Sequence, residues 1–159
     1  LPNAQAAVTI GHYFGVSSDD IDRALAGYTP QNNRSQLKKT EHNTLIIDAY
    51  NANPTSMMAA LNNFKEMEAK HKMLILGDMR ELGKDSAEEH RKIVDFLGEC
   101  GFEDVVLVGS EFAGTGSRYA TCPDVQALIE KLKADQPAGK TILIKGSNGV
   151  KLNLAIDYL

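Results

Sequence analysis

Thr44-Leu45-Ile46-Ile47-Asp48-Ala49-Tyr50-Asn51-Ala52-Asn53-Pro54-Thr55-Ser56-Met57 is the stretch from which the fold is read. An apolar β-type run ends abruptly at Asp48, the chain passes through small and amide residues, and Asn53-Pro54 has the form of a helix cap followed by proline at the first helical position. The pattern predicts a strand, a polar loop and a helix start. In open α/β sheets ligands gather at the carboxyl ends of strands, so a carboxylate and two amides there read as a binding edge. The alternative is that Asp48 and Asn53 merely cap the helix.

Outward from this stretch, the same alternation recurs. The helix from Pro54 carries Met57, Leu61 and Phe64 on one stripe, as a core-facing helix should. Strands are predicted at 73–76, 105–108 and 141–144, with a short extended piece at Tyr119; helices are predicted at 88–97, 125–132 and from about Gly149. Residues 34–40 read as an edge strand and 45–49 as a buried one. The fold class is therefore α/β, a Rossmann-like, mostly parallel sheet with helices on both faces. Right-handed crossovers would bring the strand ends to one edge. That edge is polar: Asp48, the 77–83 segment with Asp78 and Arg80, Gly109-Ser110-Glu111, and Lys145-Gly146-Ser147-Asn148. Carboxylates, amides and cations together suit a small zwitterion or a nucleotide fragment.

Before this alternation lies a short helical segment. Ala6, Ala7, Ile10, Tyr13 and Phe14 recur at helical spacing and Gly15 follows as a C′ residue. Ser17 or Ser18 can cap a second helix, with Ile21, Ala24 and Leu25 on one face and Gly27 at its end. The polar run Tyr28-Thr29-Pro30-Gln31-Asn32-Asn33 then marks a boundary near Asn33-Arg34.

Composition narrows the function. The chain has 159 residues, enough for one full core, with 43% hydrophobic and 24% charged residues. No apolar run approaches the roughly 18 residues of a membrane span. A formal net charge of -4 and the absence of a basic run argue against general nucleic-acid binding. Cys100 and Cys122 have no paired spacing, which suggests a reducing, cytoplasmic setting. The first residues lack an initiator Met and a signal pattern, so the chain is expected to begin inside a longer protein. Residues 109–116 imitate a phosphate loop, but Thr115 stands where its lysine would be, and Tyr119 fails the third glycine of a dinucleotide fingerprint. His12, His42, His71 and His90 show no metal-ligand pairing; His90, beside Glu88 and Glu89 near a helix start, stands out among them.

Residues 48–57, then Leu76-Gly77-Asp78-Met79-Arg80-Glu81-Leu82-Gly83 with His90, then Lys145-Gly146-Ser147 occur in an order that resembles the C-terminal domain of the Mur ligases. The resemblance covers essentially the whole chain and points to the branch that joins D-alanyl-D-alanine to UDP-N-acetylmuramoyl-tripeptide in peptidoglycan precursor synthesis. It implies a parent with a UDP-sugar domain, a central ATPase domain carrying the phosphate loop, and a Rossmann-like closing domain. Residues 1–33 would be the helical tail of the central domain and 34–159 the C-terminal domain. Asn3, Arg34 and Asp48 would be nucleotide-binding, with Asp48 on the ribose hydroxyls. Asn51, Asn53, Lys145 and Ser147 would lie around the dipeptide. No catalytic nucleophile and no metal ligand is implied in this chain; ATP and Mg²⁺ would be held mainly by the central domain, so the chain alone would be inactive. Two positions depart from the family: Asn33 replaces the usual glycine, a change the left-handed conformation tolerates, and Asn148 replaces an arginine frequent after Lys-Gly-Ser. Two rival readings are a stand-alone nucleotide- or dipeptide-binding module and a receiver-like phospho-acceptor domain built on Asp48, Asp78 and Lys145.

Overall fold

A computed structural model describes residues 2–28 and 35–159. It divides into two compact units, Leu1–Pro30 and Gln31–Leu159. The expected boundary at Asn33-Arg34 lies outside the described residues. In the first unit, α1 (Pro2–Tyr13) ends where Gly15 takes a positive φ of 77°. Val16 N–H then bonds the Gly11 carbonyl and Gly15 N–H the His12 carbonyl, the pairing that satisfies orphan carbonyls after a left-handed residue. Ser17 caps α2 (Ser18–Ala26) by accepting the Asp20 N–H.

The second unit is a six-stranded sheet in the order β1-β2-β6-β3-β4-β5. The strands are β1 (Gln36–Lys39), β2 (Thr44–Asp48), β3 (Lys72–Gly77), β4 (Val105–Val108), β5 (Ala120–Cys122) and β6 (Thr141–Lys145). Only the β1–β2 pairing is antiparallel; the others are parallel. Sheets of this kind are covered on both faces, which is why β3, β4 and β6 read as unbroken apolar runs instead of alternating ones.

Period two divides each strand between two cores. Leu45, Ile47, Met73, Ile75, Val106, Ile142 and Ile144 pack against α6 (Val125–Ala134) and the C-terminal turns. Leu74, Leu76, Leu107 and Leu143 pack against α3 (Pro54–Glu66) and α4 (Ser86–Glu99). The predicted stripe Met57, Leu61 and Phe64 is almost wholly buried in this second core, and Phe64 stacks on Phe102 with centroids 6.2 Å apart.

Two elements differ from expectation. The segment after β6 forms 3-10 turns, Asn148–Val150 and Leu152–Tyr158, instead of an α-helix, because Lys151 between them is left-handed with a φ of 60°. Buried Leu152 and Ala155, and Ile156 and Leu159, are each three residues apart, the repeat of a 3-10 helix. A four-residue helix, α5 (Ser110–Ala113), lies within the 109–116 segment that imitates a phosphate loop.

Candidate functional site

Chain direction builds the site. After β2 the chain turns to α3 on one face; after β6, its neighbour, it turns to the C-terminal turns packed on the other. Adjacent parallel strands whose continuations leave in opposite directions open a crevice at their carboxyl ends. Asp48 and Lys145 end those two strands in direct register.

Lys145 is 1% exposed. A buried ammonium requires a counter-charge and acceptors, and it finds both: its Nζ donates to Asp48 Oδ2 at 2.6 Å and to the Asn51 carbonyl at 3.2 Å. The Asp48 side chain keeps 23% exposure, and its Oδ1 accepts the Ser35 N–H at 3.4 Å. One acceptor edge of this carboxylate is thus pinned to the protein and the group still faces solvent. Beneath it a cleft of about 320 Å³ runs along α3, lined by Ile46, Ala60, Asn63, Phe64, Met67 and Leu143 among others.

The amide loop is organised by its helix. Asn53 Oδ1 accepts the Ser56 N–H at 2.8 Å while Ser56 Oγ accepts the Asn53 N–H at 3.1 Å, a reciprocal cap that satisfies two orphan donors. Asn51 is exposed, and Asn53 is exposed despite its capping role. Ser147 bridges to the same loop, its hydroxyl lying 3.4 Å from the Ala52 carbonyl and accepting the Arg80 N–H at 2.9 Å. The Asp48 loop, the Arg80 segment and the Lys145-Ser147 turn therefore form one connected edge. Asn3 sits exposed on α1 in the other unit, and Arg34 lies outside the described residues.

Asp78 has a structural task. It is 1% exposed and accepts Glu111 N–H at 3.1 Å on one oxygen and Phe112 N–H at 3.0 Å on the other. Gly109, with a φ of 123°, leaves the room: a Cβ there would lie 2.2 Å from the Asp78 carboxyl carbon. The false phosphate loop is thus a real anion cradle, and the anion it holds is an internal carboxylate. A receiver-like pocket, which needs Asp78 open beside Asp48, does not fit this arrangement. His90, fully buried, accepts the Met79 N–H on Nε2 at 3.0 Å and donates from Nδ1 to the Ser86 carbonyl at 2.7 Å. It too holds the segment after β3. The Asp78 role depends on partners 33 and 34 positions away, and the His90 bond to Met79 on one 11 positions away, so neither leaves a local signal in the sequence.

Among the described residues no three His, Cys, Asp or Glu side chains converge as a metal cage, and no helix is long and apolar enough to cross a membrane.

The family described as "Mur ligase, glutamate ligase domain" matches residues 33–148. A UDP-N-acetylmuramoyl-tripeptide–D-alanyl-D-alanine ligase of Bacillus subtilis is 34% identical, covering 99% of this chain and 37% of its own length. The corresponding ligase of Escherichia coli is 33% identical, with 100% and 36% covered. A crystal structure of MurF from Acinetobacter baumannii superposes with a TM-score of 0.79 at 30% identity, covering 98% of this chain and 36% of that one. The chain thus spans little more than a third of the relatives it matches.

Proposed function

The chain belongs to the Mur ligase, glutamate ligase domain family, and from that premise we propose that it is the closing domain of an ATP-dependent ligase that joins D-alanyl-D-alanine to UDP-N-acetylmuramoyl-tripeptide. The observation that carries this reading is the edge where the Asp48 loop and the Lys145-Ser147 turn are tied together, in a chain that aligns over 99% of its length with a ligase of that name. Residues 1–33 are read as the tail of a central ATPase domain and 34–159 as the domain that closes over it. The parent acts in the cytoplasm.

In this proposal the tripeptide carboxylate takes the γ-phosphoryl group of ATP, giving an acyl phosphate and ADP. The free amine of the dipeptide gives up a proton and attacks the acyl carbon; the C–O bond to phosphate breaks and an amide forms. This chain orients reactants instead of supplying a nucleophile, and positioning accounts for a large part of such catalysis. Asp48, held by Lys145 and still solvent-facing, accepts the ribose hydroxyls; Asn3 and Arg34 are assigned to nucleotide binding on the family resemblance alone. Asn51 and Asn53 face the dipeptide, on a loop braced by Lys145 through the Asn51 carbonyl and by Ser147 near the Ala52 carbonyl. ATP and Mg²⁺ would be held mainly by the central domain of the parent, and what this chain's own residues supply is orientation. The chain by itself is read as inactive, since the strand-glycine-helix cradle at Gly109 already holds Asp78 and offers no lysine for a γ-phosphate.

The full-length protein, given ATP, UDP-N-acetylmuramoyl-tripeptide and D-alanyl-D-alanine, is expected to yield the pentapeptide product by mass spectrometry. Asp48→Ala should raise the KM for ATP by roughly tenfold or more, the loss of one or two charge-assisted hydrogen bonds, with the fold intact by circular dichroism. Absence of the pentapeptide, or an unchanged KM for ATP together with unchanged turnover, would overturn the reading.

A further inference from the structure

We propose that Arg80 receives the carboxylate of the amine substrate at this edge; the assignment rests on the ligase reading above. A dipeptide that attacks through its amine brings a carboxylate at its other end, and that charge needs a cation. Lys145 does not offer one freely, being 1% exposed with its ammonium bonded to Asp48 and the Asn51 carbonyl. Arg80 is exposed, and among the described residues no hydrogen bond or ion pair engages its guanidinium.

Its backbone, by contrast, is held with unusual care. Asp78 is tied to α5, the Met79 N–H to His90, and the Arg80 N–H to Ser147. These three side chains are 1%, 0% and 5% exposed, and buried polar groups are costly unless fully satisfied. Two glycines let the strand ends close up: a Cβ on Gly146 would lie 2.9 Å from Gly77 Cα. As a result Arg80 reaches the turn after β6, where a Cβ on Gly149 would sit 3.9 Å from its Nε. A network of buried polar groups thus fixes the base of a single free guanidinium beside the Ser147-Asn148-Gly149 turn, on the substrate side of the edge. A guanidinium presents a planar fork that matches a carboxylate with two parallel hydrogen bonds.

The test compares D-alanyl-D-alanine with its C-terminal amide in the full-length protein, for wild type, Arg80→Gln, Arg80→Lys and, as a nearby exposed cation, Lys84→Gln. Wild type should favour the acid. Arg80→Gln should raise the KM for the acid by about tenfold or more while moving the KM values for the amide and for ATP by less than about twofold, the pattern of a lost charge-assisted pair. Arg80→Lys should fall between, and Lys84→Gln should match wild type. Equal use of acid and amide by wild type, equal losses on both in Arg80→Gln, or an equal effect of Lys84→Gln would overturn the assignment while leaving the ligase reading intact. Failure of wild type to ligate the dipeptide at all would instead overturn the ligase reading, and this assignment with it.

Discussion

At the scale of single residues, the edge uses like side chains for different ends. Asp48 and Asp78 both follow parallel strands, yet Asp48 keeps a solvent-facing side and Asp78 is sealed under α5. The difference lies in what each accepts: an ammonium and one backbone N–H for Asp48, two backbone N–H groups at the start of α5 for Asp78. Asp78→Ala would leave those two donors without an acceptor in a largely dry site. It should therefore destabilise the chain by about 2–4 kcal/mol, measured by urea denaturation. A loss under about 1 kcal/mol would mean water replaces the carboxylate at little cost. The Lys145–Asp48 pair is better understood as geometry than as stability, because attraction between buried charges is largely offset by their desolvation.

At the scale of elements, α3 links the site to the core. Its buried stripe of Met57, Leu61 and Phe64 fixes its rotation, and its cap fixes where the Asn51-Asn53 loop must stop. Asn53→Ala should cost about 1 kcal/mol, whereas Asn53→Gly should cost only a few tenths. Both variants remove the side-chain amide, so comparing their thermal stabilities with their activities separates the capping role from the substrate-facing one. Stability of Asn53→Ala equal to that of wild type would show that the cap contributes nothing measurable. The same logic explains α5: a four-residue helix has little stability of its own, and it persists because Gly109 admits the Asp78 carboxylate under its first turn.

At the scale of the whole molecule, the two units differ in their means of support. Among the described residues of Leu1–Pro30 only Ile21 is buried, while Ile10, Tyr13, Phe14 and Tyr28 are exposed. Helices this short are marginal in water without tertiary packing. The 31–159 unit carries both cores and the entire sheet. A fragment of residues 31–159 should therefore unfold cooperatively with a denaturation midpoint close to that of the 159-residue chain, whereas a peptide of residues 1–30 should show little helix by circular dichroism. A fragment 31–159 that failed to fold would show that the N-terminal helices support the sheet.

The fold was legible in the sequence because its signals are local: apolar runs of strand length, a capped helix start at Asn53-Pro54, and stripes such as Met57, Leu61 and Phe64 each fit within a few turns of chain. The polar edge was legible for the same reason, since carboxylates, amides and cations end successive strands. Tertiary structure alone decided which of those groups remain available. Strand order places β6 between β2 and β3, and only that non-local pairing sets Lys145 against Asp48. Burial then removes Lys145 and Asp78 from solvent, turns His90 and Ser147 into supports, and leaves Arg80 exposed. Charge type is written residue by residue, but whether a charge is paired depends on contacts between segments far apart in the chain, and no local pattern encodes those.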